Sequence, residues 1–418
     1  MHQTRFFIGV FLVVLLSFLL DRYVFAGIRT ITANWKSTRL KKAMRWGYWA
    51  ISWGVTTSML VYPLFGMRNA FTYWLLSIFF TLFVTKLVFT LVLFSEDIIR
   101  LLTGVVKFIF KTNNSGVKPL KPGRRKFVSQ LGLVLASIPF ASFVYGMIKG
   151  KYDYKVHRHT LFFDDLPEAF DGFTITQISD VHTGTFDNAE AVQRGINMIK
   201  DQKSDLFVFT GDLVNNVAEE VEPWMNLFGQ LRAPYGQFSI LGNHDYGDYM
   251  EWESEAAKVA NLDKLKKHHA DMGYRLLLDE NITLEKNGQK ISLLGVENWG
   301  DGFIQKGDLE KALTGVDKDA FKILLSHDPS HWQNIVKHHP THIHLTLAGH
   351  THGMQMGIET PTVKWSPSEL RYAHWAGLAE ENLRYLYINR GFGFLGFTGR
   401  VGIWPEITVL ELRKKAVA

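Results

Sequence analysis

The sequence predicts an α/β domain carried behind an all-helical membrane region of about four spans, and three observations predict it. Four long apolar stretches fall within the first 148 residues, and beyond residue 170 short apolar runs alternate with longer periodic stretches. The two parts also carry opposite charge. Residues 1–158 hold 22 Lys/Arg against 4 Asp/Glu, a net of +18, whereas the remainder holds 24 against 36, a net of −12. The positive excess lies between apolar segments, where it orients a membrane protein, and is not the basic face of a nucleic-acid binder. A chain of 418 residues accommodates a membrane region and one large domain. Having no cysteine, it has no disulfide, thiolate nucleophile or Cys-type zinc site.

The four stretches are Phe6–Leu20, Trp46–Met67, Phe71–Ser95 and Phe127–Ile148. About 20 apolar residues cross a bilayer. The second and fourth meet that without a charge, and the third is interrupted only by Lys86. The first is short. It reads as a retained helix rather than a signal-peptide core, because no small-x-small cleavage site follows it. Lys86 reads as snorkelling or facing a neighbouring helix, and Ile98–Phe110 as an amphipathic interfacial helix. The loop 27–45 holds six basic residues and no acid, and 96–126 holds eight against Glu96 and Asp97. Positive-inside bias puts both loops in the cytoplasm and both termini outside. The sequence therefore predicts an integral membrane protein with its soluble domain on the outer face, periplasmic if the membrane is a bacterial inner membrane. Lys149, Lys151, Lys155 and Arg158 run mildly against that orientation. Arg124-Arg125 before the fourth stretch reads either as a twin-arginine export signal or as an ordinary basic flank.

The division expected is 1–148 membrane region, 149–170 linker and 171–418 catalytic domain. Strands are expected at Thr174–Ser179, Leu206–Thr210, Gln237–Leu241, Ile291–Val296, Phe321–Ser326, Ile343–Ala348, Arg384–Ile388 and Ile407–Leu412. Helices are expected over Ala189–Asp201, Glu219–Leu231 and Trp252–Met272. Five polar motifs follow five of these strands: Asp180-Val181-His182, Gly211-Asp212, Gly242-Asn243-His244-Asp245, His327, and Gly349-His350-Thr351-His352-Gly353. Ligands gather at the carboxyl ends of strands in α/β sheets, so the motifs point to one site. The donors are nitrogen and oxygen without sulfur, which suits Mn, Fe, Zn, Ni or Co. Each i, i+2 pair can turn two ligands to one side if the backbone bends, and the glycines permit close approach.

In this order the motifs resemble the signature of the calcineurin-like metallophosphoesterase superfamily, over roughly residues 172–412. Asn389-Arg390-Gly391-Phe392-Gly393 and Pro405-Glu406-Ile407-Thr408 resemble its bacterial membrane-associated branch, although Gly353-Met354-Gln355 replaces that branch's Gly-Gly-Gln. The resemblance implies a four-layer αββα sandwich holding two divalent metal ions. Asp180, His182 and His352 would bind the first, Asn243, His327 and His350 the second, and Asp212 both. His244 would face the substrate, stabilising phosphoryl oxygens or protonating the leaving group, with Asp245 orienting it. Two metals about 3.5–4 Å apart would activate water for in-line attack on phosphorus.

The expected activity is hydrolysis of a phosphodiester, phosphomonoester or pyrophosphate, with lipid-linked substrates favoured by the membrane region. The competing reading is a membrane sensor or binding protein whose domain holds metal or phosphate without turnover; the complete motif set argues against it. His268, His269, His338, His339, His342 and His344 match no motif and read as surface or packing residues. His374, in the aromatic segment Trp365–Trp375, reads as part of a structural loop rather than a substrate pocket.

Overall fold

A computed structural model describes residues 2–65, 70–110 and 122–415. The chain divides into two units, Met1–Met147 and Ile148–Ala418.

The first unit is helical: α1 (His2–Thr32), α2 (Thr38–Phe65), α3 (Ala70–Ile109) and α4 (Pro122–Ile148). Among the described residues, three segments are long and apolar enough to cross a membrane: Ile8–Thr32, Phe71–Val106 and Gly123–Ile148. The end of the expected second span, Arg68, and positions 111–121 of the second basic loop lie outside the described residues. The stretch expected as a separate interfacial helix instead continues α3. A Cβ on Gly27 would lie 2.7 Å from both Phe89 and Leu93, so glycine lets α1 approach α3. Lys86 faces its neighbours: its Nζ sits 2.6 Å from Asp21 Oδ1 and donates to Ser52 Oγ, while Tyr48 and Ser52 donate to Asp21. Arg124 and Arg125 are held in ion pairs with Glu96, and Arg125 also with Asp97.

The second unit is built on two six-stranded mixed sheets. Its strands are β1 (Lys155–Phe163), β2 (Phe173–Ile178), β3 (Leu206–Phe209), β4 (Gln237–Ser239), β5 (Arg275–Leu276), β6 (Glu280–Lys286), β7 (Gln289–Gly295), β8 (Phe321–Leu325), β9 (Leu345–Ala348), β10 (Ile358–Glu359), β11 (Lys364–Trp365), β12 (Gly377–Glu381), β13 (Arg384–Ile388) and β14 (Glu406–Lys414). One sheet runs β1-β14-β2-β3-β4-β5 and the other β12-β13-β9-β8-β7-β6. The site-bearing strands β2–β4 and β7–β9 are parallel runs. The helices are α5 (Ala189–Lys200), α6 (Met225–Phe228), α7 (Glu255–Asp271), α8 (Leu309–Ala312) and α9 (Pro329–Asn334).

Strand alternation builds the layers. Val208, Leu293, Ile323 and Tyr387 point into the core between the sheets. Their neighbours Phe207 and Phe209 turn outward onto Val192, Ile196 and Ile199 of α5, and Leu294, Leu324 and Leu386 onto α8 and α9. This is the αββα arrangement. Helix α5 shows why: Asn188 caps it by accepting from Ala191 N–H, and Ala191, Val192, Gly195, Ile196 and Ile199 form one buried stripe.

Two expectations change. Residues 149–170 do not form a plain linker: β1 pairs along nine residues with β14 and adds an edge to the first sheet. One face of β1 is solvated, so Lys155, Arg158 and two histidines obscured its alternation. The helix expected over 219–231 is a 3₁₀ stretch, Ala218–Trp224, followed by the single turn of α6, because Pro223 lacks the N–H that a longer helix requires.

Candidate metal centre

Every predicted ligand follows a strand end, and the structure gathers them into two adjoining groups. Asp180, His182 and His352 form one and Asp212, His327 and His350 the other; within each, one ligand atom per residue lies within 4.8 Å of the others. Asn243 joins the second group, its Oδ1 2.8 Å from His350 Nδ1. Asp212 Oδ2 faces both groups, 3.6 Å from His182 Nε2 and 3.2 Å from His327 Nε2.

The backbone makes this convergence possible at a cost. Asp180, His182, Asp212, His350 and His352 all have φ between 48° and 73°. For a residue with a Cβ that conformation costs ~1 kcal/mol or more. It turns each i, i+2 pair so that both members face one centre. Glycine supplies the room: a Cβ on Gly349 would stand 1.9 Å from Ser179 Oγ, and one on Gly242 2.2 Å from Asp212 Oδ1.

The donor set fits divalent cations. His182 Nε2 and His352 Nε2 face each other at 3.0 Å. Burial lowers His182 to about 3, His350 to about 4 and His352 well below the usual range, so all three are neutral at pH 7. His352, whose Nδ1 accepts from Arg400, donates its Nε2–H to His182 Nε2, and a cation displacing that proton would meet one nitrogen of each ring. Burial would raise Asp212, but the charges of His327 and His244 outweigh it and keep that carboxylate ionised. For His327, burial works against protonation, yet Asp212 and Asp180 raise it to about 10. The His327 Nδ1–H donates to the Thr210 carbonyl at 2.7 Å, which leaves Nε2 aimed at Asp212.

His244 stands beside this centre. Its ring lies 5.0 Å from that of His182 and packs, tilted by 35°, against Tyr249 at 4.4 Å. Asp245 does not orient it. The Asp245 carboxylate accepts from the backbone N–H groups of Asp212, Leu213, Val214 and Gly242, and so holds the loop that carries Asp212. The His244 Nδ1–H donates instead to the Asn215 carbonyl at 2.8 Å.

Residues 173–354 match the family described as "Calcineurin-like phosphoesterase". Residues 4–151 match "Probable Calcineurin-like phosphoesterase, transmembrane domain". The chain belongs to the calcineurin-like phosphoesterases. It is 28% identical over 299 residues to the "Uncharacterized metallophosphoesterase YkuE" of Bacillus subtilis (strain 168), an alignment spanning 70% of this chain and 98% of that protein. It is 26% identical over 278 residues to the "Transmembrane protein with metallophosphoesterase domain" of Danio rerio, spanning 65% of this chain and 60% of that protein. Members of this family use divalent metals, and the His/Asp groups of this chain can bind them. With three candidate spans and the matching transmembrane domain, it is a membrane protein.

Sequence reasoning missed several residues around this candidate centre. The Tyr372 hydroxyl lies 2.9 Å from His350 Nε2, and Asp328 Oδ2 lies 3.3 Å from the same atom. Tyr249 accepts from Asn243 Nδ2, and buried Arg400 donates to His352 Nδ1 at 3.1 Å. Only Asp328 carried a signal, as the neighbour of His327. The six histidines that match no motif lie away from the centre. Among them, His269 bonds Ser239, His339 bonds Glu310 and His344 bonds Asp165. His374 packs its ring on Trp332 and lines a cavity of about 140 Å³ with Arg371, Asn334 and Ser330.

Proposed function

We propose that this membrane protein hydrolyses a phosphoester with two divalent cations, acting on a phosphodiester, phosphomonoester or pyrophosphate that is lipid-linked or lies near lipid. Family membership supports phosphoester hydrolysis in general. The observation that carries the two-metal reading is Asp212 Oδ2, one ionised oxygen turned toward both donor groups.

In this reading Asp180, His182 and His352 would hold one cation and Asn243, His327 and His350 the other, with the Asp212 carboxylate available to both. When bound, such cations acidify water and neutralise phosphate oxygens. The chain's own residues do the rest. The Thr210 carbonyl fixes the His327 tautomer, and Asp245 fixes the loop beneath Asp212. The Asn215 carbonyl holds His244 Nδ1–H, so Nε2 points away from that bond toward the substrate. As the water oxygen bonds to phosphorus it gives up a proton to solvent and the bond to the leaving oxygen breaks; His244 would either pass a proton from Nε2 to that oxygen and regain one from solvent, or hydrogen-bond the phosphoryl group while solvent protonates the leaving oxygen. No covalent enzyme intermediate is required. Loop charge supports placing the catalytic unit on the outer face of a bacterial inner membrane. A reporter fused after the C-terminus that works only in the cytoplasm would overturn that placement.

The deciding experiment is hydrolysis of bis(p-nitrophenyl) phosphate and p-nitrophenyl phosphate by the purified full chain with Mn²⁺, beside Asp212→Asn. Manganese-dependent turnover that disappears in the variant is expected. Metal bound normally with no turnover on these esters or on phospholipid esters would sink the enzyme reading.

A further inference from the structure

Exposed apolar side chains are unevenly spread over the second unit. Among the described residues 149–415, eleven large hydrophobic side chains are exposed, and six of them fall between positions 354 and 378: Met354, Ile358, Val363, Trp365, Leu370 and Leu378. Leu370 is 88% exposed and Trp365 48%. The segment holds together as one surface. Ile358 pairs with Trp365 across the hairpin β10–β11, and Ser366 Oγ donates to the Gly353 carbonyl beside Met354. The surface also borders the metal centre, because Tyr372, two residues after Leu370, bonds His350. Isolated exposed leucines need no explanation, but a cluster of this kind marks an interaction surface.

We infer that the segment 354–378 is a docking surface for a phospholipid bilayer, seated at the interface with its edge against the metal centre. Three observations name the bilayer as occupant. The first is covalent: α4 ends at Ile148, and Gly150–Tyr152 are already buried within the second unit, against Trp404, Asp187 and Phe394. Only Lys149 separates a membrane-type helix from the catalytic unit, so that unit cannot leave the bilayer's vicinity. The second is composition. Aliphatic tips and a tryptophan flanked by Lys364 and Arg371 are the mixture that favours the headgroup boundary. Glu359 in the same hairpin is paired with Arg390, which also serves Glu406, and exposed Glu369 beside Leu370 restricts the surface to the interface. The third is continuity with the metal centre, which a phosphoester held at the headgroup level would reach without leaving the bilayer. This last point rests on the proposed phosphoesterase reading; the docking itself does not.

The absence of native cysteine makes the test direct. Leu370→Cys and Val259→Cys, the latter on the exposed face of α7, are each spin-labelled in the full chain, in vesicles of phosphatidylcholine and phosphatidylglycerol. The expected result is a label at 370 relaxed more by oxygen than by a water-soluble nickel chelate, with the reverse at 259. Equal access of the chelate to both labels overturns the inference. So does spin–spin broadening at 370 that vanishes on dilution with unlabelled chain, because the surface is then an interface between copies. In the activity arm, Leu370→Ser and Trp365→Ser each slow hydrolysis of a vesicle-held phospholipid ester about tenfold, the factor one buried apolar side chain is worth. Hydrolysis of the soluble nitrophenyl esters stays the same; an equal fall on both substrates overturns the docking role. If no ester is hydrolysed at all, the phosphoesterase reading fails while the label at 370 still decides the docking.

Discussion

Both units bury charge, and they satisfy it in opposite ways. In the helical unit Asp21 meets Lys86 at 2.6 Å, and Ser52 and Tyr48 complete the shell. One acid, one base and two hydroxyls satisfy one another without an outside group. In the catalytic unit Asp180 and Asp212 are buried among His182, His327, His350 and His352, three of which burial keeps neutral. Two imidazole nitrogens there face each other across 3.0 Å. A buried charge must be paired or coordinated. The first cluster is paired by the chain itself, so it serves helix packing; the second is short of positive charge, so it can take a cation. Burial alone therefore does not mark a functional site, whereas an unbalanced donor set does.

The sharpest way to break the comparison is to remove the shared oxygen. Asp212→Asn should cut turnover about 10³-fold, the rate equivalent of several kcal/mol of metal-derived stabilisation. Metal content measured by mass spectrometry should fall below two per chain. Full metal content with lost activity would mean that Asp212 acts on substrate rather than as a bridge. In the helical unit the matching change is Lys86→Met, which strands Asp21 in an apolar setting. Breaking such a buried pair costs about 3–5 kcal/mol, visible as a lower unfolding temperature of the detergent-solubilised chain. Nitrophenyl ester hydrolysis well below that temperature should be unchanged. Lost turnover without lost stability would make the pair a working part and revive the sensor reading.

A smaller effect separates ligand from reactant within the catalytic unit. His244→Ala should keep its metal yet lose about 10²-fold in turnover, the contribution of a positioned proton donor. Metal loss in proportion to activity loss would place His244 among the ligands.

These contrasts also show what a sequence makes legible. The seven proposed ligand positions stand out because each lies just beyond a buried apolar run, and Asp212, Asn243 and His350 each adjoin a glycine whose Cβ would collide with a neighbouring strand end. The layers were legible from runs such as Leu206–Phe209 and Phe321–Leu325, buried on both faces. Strand β1 was not, because one face is solvated and its partner β14 lies some 250 positions along the chain. Tyr372, Arg400 and Asn215 were not either. They are common residue types in loops, and only the tertiary fold brings them to His350, His352 and His244. Asp245 was misassigned for a related reason: adjacency to His244 suggested a partner, but the turn sends its carboxylate to four backbone amides. The Lys86 reading needed structure as well, since its partner Asp21 belongs to another helix.

The finest test of the imbalance is the proton that a cation would have to displace. In the metal-free protein Asp212 and Asp180 hold His327 protonated up to about pH 10 despite its burial, against about 6.5 in an unfolded chain. That raised value contributes stability that is full below pH 6.5, fades above it and is lost as pH rises through 10. His182, lowered to about 3 by burial, has the opposite sign: its contribution is full above pH 6.5 and is lost as pH falls toward 3. A cation that takes His327 Nε2 as a ligand must expel the proton there. Titration with Mn²⁺ at about pH 8.5, in two buffers of different ionisation heat, should therefore release a proton from His327 in addition to any from bound water, and apparent affinity should rise about tenfold per pH unit in that range. The His327→Gln variant should release about one proton fewer per chain. Wild-type protein that binds manganese without releasing a proton would place His327 outside the coordination shell, leaving Asp212 without its second group of donors.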